Sequence, residues 1–64
     1  MTVMETGTYK LLKDFTFQPN SISIATLKKG TEITITQVDH DYHKVIGPEI
    51  GDWQCWVLPV EKIA

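Results

Sequence analysis

Sixty-four residues, 42% of them hydrophobic and 22% charged, make one small domain that has room for a single modest core. Six lysines, no arginine and eight acids leave a formal charge of −2. That balance argues against a duplex nucleic-acid binder, which concentrates positive charge and uses arginine for bidentate phosphate and guanine contacts. The one cysteine, Cys55, excludes an internal disulfide, and no apolar run approaches the roughly 18 residues of a membrane span. The chain is expected to be soluble and cytoplasmic, without a membrane contact, as a monomer or a weak homo-oligomer.

Residues 1–7 have no periodicity and no basic-then-apolar leader pattern, so they are expected to form a tail or a short edge addition to a domain spanning residues 8–64. Thr8 to Phe17 reads as strand: Leu11 and Leu12 are adjacent, and Phe15 and Phe17, two positions apart, share a face. Gln18 to Ser21 is turn chemistry, with a proline followed by side chains that bond to their own backbone. Ile22 and Ile24 alternate with serine up to a basic turn, Lys28 to Gly30, where glycine supplies a conformation that residues with a Cβ reach at a cost.

That turn launches the clearest strand of the chain. Ile33 and Ile35 alternate with Glu32, Thr34 and Thr36, a period of two with one face buried and one wet. Asp39-His40-Asp41 is a polar tip, Tyr42 to Ile46 a short strand, and Gly47-Pro48 with Gly51-Asp52 bracket a hairpin loop. Trp53 to Leu58 reads as another strand, halted by Pro59, which cannot donate to a ladder. Val60 to Ala64 suits one helical turn leading into a last short strand. Short strands at this spacing predict an all-β fold, a small five- or six-stranded barrel that is closed or nearly so.

The segment Ala25-Thr26-Leu27-Lys28-Lys29-Gly30-Thr31-Glu32-Ile33 resembles the strand-opening motif of the Src-homology-3 domain and its bacterial SH3-like relatives. Further likenesses follow in the family's order: Asp14-Phe15-Thr16-Phe17 with its opening, Tyr42-His43-Lys44-Val45 with its tryptophan pair, and Trp56 to Ile63 with its ending. The resemblance implies a protein-binding shelf made by Phe15, Phe17, Tyr42 and Pro59, with Lys62 where the family has a tyrosine, and Trp56 where it has glycine. The loop Gln18-Pro19-Asn20-Ser21 lacks the acids that pair with a ligand arginine in the family, so conventional proline-peptide binding is disfavoured against a generic apolar contact face. Alternation and resemblance together assign Leu12, Leu27, Ile33, Ile35, Val45, Leu58, Val60 and Ile63 to the core.

Catalysis is not expected, and neither is a cofactor or a metal. His40 and His43, three apart, point to opposite faces of a strand and converge only in a turn. Cys55 has no basic neighbour in sequence to lower its pKa and reads as a buried small hydrophobe. Plasmid-borne dihydrofolate reductase, an enzyme built on such a barrel, carries Val-Gln-Ile-Tyr in its pore, whereas the comparable strand here is Cys55-Trp56-Val57-Leu58. Trp53 and Trp56 cannot share a side of a regular strand, and Trp56 is expected to be the better packed. The sequence therefore predicts a non-enzymatic accessory module of a bacterial, phage or plasmid type that contacts or inhibits a host protein. The alternative is nucleic-acid or translation-associated binding through Lys28 and Lys29.

Overall fold

The computed structural model describes residues 1–64 apart from the side chain of Trp53. Among the described residues, eight strands follow one another with no helix: β1 (Gly7–Leu11), β2 (Phe15–Asn20), β3 (Ser23–Leu27), β4 (Glu32–Ile35), β5 (Gln37–Asp39), β6 (Lys44–Gly47), β7 (Gly51–Cys55) and β8 (Val60–Lys62). They form three small antiparallel sheets with orders β4-β1-β8, β2-β3 and β5-β6-β7. The fold is all-β, as the patterning predicts, and it is not a closed barrel.

The two three-stranded sheets are joined at Thr36, the single residue between β4 and β5. Its N–H and its hydroxyl both donate to the Ile46 carbonyl, at 2.8 and 3.2 Å, so β4 hands over to β6 with no gap in hydrogen bonding. The handover needs a close backbone approach. A Cβ at Gly47 would collide with the Thr34 carbonyl oxygen, so only glycine fits there. Beside it, the Glu49 carboxylate accepts the Thr34 N–H at 2.7 Å, and the turn that carries Glu49 drives Ile50 fully into the interior.

The core lies against β1. Tyr9 is paired directly with Ile33, Leu11 with Val60 and Gly7 with Ile35, so the buried sides of β4 and β8 meet on one face. Val3, Tyr9, Leu11, Ile33, Ile35, Val45, Ile50, Leu58 and Val60 form one cluster, onto which Phe15, Leu27, Val38 and Trp56 pack while partly buried. The phenol of Tyr9 would be costly to bury unpaired, and it donates to the Glu5 carbonyl at 2.7 Å. Burial, with a smaller push from the Glu5 charge, holds the Tyr9 pKa above its ordinary 10.0 against the lowering effect of that hydrogen bond.

The first residues are an edge addition. Thr2 bridges Val57, the Val3 N–H donates to the Trp56 carbonyl at 2.7 Å, and the Leu58 N–H donates to the Met1 carbonyl at 2.9 Å. Val3 is carried wholly into the core. Gly30, in the basic turn, has φ +91°, the left-handed backbone that its position in the sequence calls for.

Several local expectations are corrected. Leu12 and Ile63 are 49% and 44% exposed, and Leu27 is only half-buried. Tyr9 and Leu11 take the inward positions of β1, which leaves Leu12 beyond the strand end, its N–H donating to the Pro59 carbonyl at 2.8 Å. On β8 Val60 is the buried residue, and Ile63, three positions on, falls on the other face. No helical turn precedes β8. Pro19 lies within β2, and the hairpin tip is Ser21-Ile22, where the Asn20 side-chain oxygen accepts the Ile22 N–H at 3.0 Å. Tyr42 and His43 are in a turn, and β7 begins earlier than expected, at Gly51, and ends before Trp56.

Candidate functional site

The turn from Asp39 to Lys44 holds the most organised group of polar and aromatic side chains outside the core. One carboxylate oxygen of Asp39 accepts the N–H groups of Asp41 and Tyr42, at 3.0 and 3.1 Å, which fixes the chain direction by side chain-to-backbone bonds. His43 then adopts φ +55°, a left-handed conformation that histidine reaches more readily than branched residues do, and the backbone returns into β6.

This geometry brings His40 and His43 to a common neighbour. The His43 ring stacks on Trp56 at 4.5 Å with an interplanar angle of 14°, and His40 meets the same indole edge-on at 5.8 Å and 73°. Both arrangements suit an aromatic quadrupole. The Trp56 N–H of the main chain donates to the His43 carbonyl at 3.0 Å, which locks the turn to the segment after β7. Trp56 is half-buried, one side against the core, and Tyr42 in the same turn is 72% exposed. The turn does make the histidines converge, but onto an indole. Among the described residues no group of three or more His, Cys, Asp or Glu is arranged to hold a metal ion.

The other candidate residues belong to different elements. Phe15 and Phe17 stack with centroids 5.5 Å apart at 13°, on the inner face of the β2-β3 hairpin; Phe15 packs on the core and Phe17 is buried, so Phe17 is not an open ring of a contact shelf. Pro59 is half-buried and its carbonyl holds the Leu12 N–H. Lys62 stands opposite Tyr9, its stem lying against Gly7 and its Nζ 3.8 Å from the Glu5 carboxylate.

The basic turn is tied to an acid. Asp14 accepts the Lys29 N–H at 2.8 Å, and its other oxygen lies 3.7 Å from the Lys28 ammonium. Cys55, expected in the interior, is exposed and stands opposite Lys44 on β6. The expectation about Trp53 concerns a side chain outside the described residues. Sequence reasoning missed the stacking of His43 on Trp56, thirteen positions away; the available signal was the Asp39-His40-Asp41-Tyr42-His43 spacing, which marks a turn and not its neighbour. No protein-family model matches this chain, and no curated protein and no solved structure matches it.

Proposed function

We propose that this chain is a non-enzymatic protein-binding module of SH3-like descent, and that its contact face is built around Trp56 and Tyr42. One observation carries the reading: a half-exposed indole held by two imidazoles from a turn that also carries the exposed Tyr42 and whose backbone is tied by Asp39. Rings already fixed in position lose little freedom on binding, and interface energy concentrates in such aromatic anchors. The order of the strands supports the SH3-like part. A hairpin, β2-β3, is inserted between β1 and its partner β4, where the resemblance has its long first loop, and β4 passes through Thr36 into the second sheet.

Against the nucleic-acid alternative stands the chain's net negative charge, with Asp14 beside the Lys28 ammonium in the basic turn. The decisive experiment captures partners from the source cell with the wild type, Tyr42→Ala, Trp56→Phe and a Lys28→Ala, Lys29→Ala double variant. Tyr42→Ala is expected to weaken capture by roughly 2 kcal/mol with an unchanged fold, while the lysine pair has little effect. Binding that survives the aromatic changes, is lost with the lysines and falls steeply with salt transfers the function to nucleic acid.

A further inference from the structure

All six lysines and all eight acids lie outside residues 15–27, so the β2-β3 hairpin is a neutral stretch in a chain that is charged on both sides of it. It pairs only with itself in the sheet order, which leaves an outer edge on each strand. Natural proteins blunt such edges with lysine, proline or a bulge. On β2 this is done by Pro19, and the register slips between Phe17 and Asn20. On β3, Ser-Ile-Ala-Thr-Leu, there is no blunting residue of any kind. The outer face of the hairpin carries Ile22 and Ile24, 91% and 75% exposed, while its inner face carries Phe15 and Phe17 toward the core.

We propose that β3 pairs edge to edge with β3 of a second copy, antiparallel about a two-fold axis at Ile24, making a four-stranded sheet β2-β3-β3-β2 across the dimer. Charge decides the occupant. A strand bearing acids or lysines would find no counter-charge on residues 15–27, whereas a second hairpin sets neutral residues against neutral residues. With the axis at Ile24, that residue lies opposite its own copy, Ile22 lies opposite Thr26 of the second copy, and Ser23 opposite Ala25. Leu27 falls opposite Ser21 at the hairpin tip and Lys28 lies past that tip, so no like charges meet along the pairing. The arrangement is isologous and closes on itself, so it stops at two copies. It also gives a two-stranded ribbon, marginal by itself, the extra strands that a stable sheet needs. The pairing uses the free edge of β3, with Ile24 on the face away from Phe15 and Phe17, and does not depend on the Trp56 face.

The test is the oligomeric state of the full chain. Sedimentation equilibrium is expected to show a dimer, and Ile24→Lys, which sets two ammonium groups opposite each other at the axis, to weaken it by roughly a hundredfold or more. Its denaturation midpoint at low protein concentration should match that of the wild type. In a Cys55→Ser background, Ile24→Cys should oxidise readily to a disulfide-linked dimer, because directly opposed antiparallel residues have Cα atoms about 4.5–5.5 Å apart, within disulfide range. Thr16→Cys in the same background, on β2 and away from the axis, should not. The proposal is overturned by a wild type that stays monomeric at every concentration, by a dimer indifferent to Ile24→Lys, or by crosslinking through Thr16→Cys as fast as through Ile24→Cys. If Ile24→Lys fails to fold, the two cysteine variants decide alone.

Discussion

Ile22-Ser23-Ile24 and Ile33-Thr34-Ile35 are the same pattern written twice, yet the second pair of isoleucines is 0% and 1% exposed and the first 91% and 75%. Alternation sorts side chains onto two faces but does not say which face is covered. What covers Ile33 is distant in sequence: Tyr9, set directly opposite on β1, and behind it the rest of the cluster. Ile24 has no such partner within the chain, because the hairpin turns its Phe15 and Phe17 side to the core and so presents Ile24 outward. Burial is therefore a property of the sheet a strand joins.

The largest expected effect tests that difference at the buried pair. Ile33→Ala removes a side chain that is fully enclosed, and the neighbours can collapse only partly onto the void, so the cost should be roughly 2–5 kcal/mol in urea denaturation at constant m-value. For a domain of this size that is a large share of the total stability. A loss below about 1 kcal/mol would mean that β4 is not held against β1 in the register Tyr9 opposite Ile33.

How much of this was legible follows from the same contrast. Ile33 and Ile35 are readable as core from their alternation with Glu32, Thr34 and Thr36, whereas Val45, Leu58 and Val60 have apolar neighbours and are assigned only with the help of the SH3-like resemblance. Leu11 and Leu12 offer two choices one residue apart, and the structure takes the register set by the Tyr9-Leu11 spacing, which leaves Leu12 outside. Val3 and Ile50 were not readable, since one lies in a segment without period and the other in a turn, and both are buried by contacts made far along the chain. At the candidate site the turn chemistry of Asp39 was local and visible, whereas the stacking of His43 on Trp56 depends on how β6 and the segment after β7 come together. Local sequence supplied the turn, and tertiary packing supplied its target.

A smaller effect sharpens the buried side of the comparison through pH. Tyr9 keeps its proton in the folded state at pH values where an unfolded tyrosine releases it, because burial and the Glu5 charge disfavour the phenolate. The unfolded state then binds fewer protons than the folded one, so stability is fully present below the ordinary pKa of 10.0 and declines as pH rises through the folded value. Tyr9→Phe should flatten this alkaline decline relative to the wild type. At neutral pH it should cost about 0.5–1.5 kcal/mol for the lost hydrogen bond to the Glu5 carbonyl. Two parallel alkaline profiles would place the titrating group elsewhere.

The smallest effect is expected at the exposed pair, and it is the one most able to break the comparison. Ile22→Thr at the hairpin tip and Ile24→Thr on β3 keep a β-branched side chain and remove apolar surface that water already reaches, so each should change stability by no more than about 0.5 kcal/mol. This holds at protein concentrations low enough to keep the chain monomeric. Raising the concentration stabilises any species that binds a second copy in the folded state, so the wild type should gain stability by mass action where Ile24→Thr gains less. Denaturation midpoints measured at two well-separated concentrations give both quantities from one pair of proteins. A loss of 1 kcal/mol or more that is independent of concentration would show that Ile24 is covered within its own chain. The two isoleucine pairs would then differ in degree and not in kind.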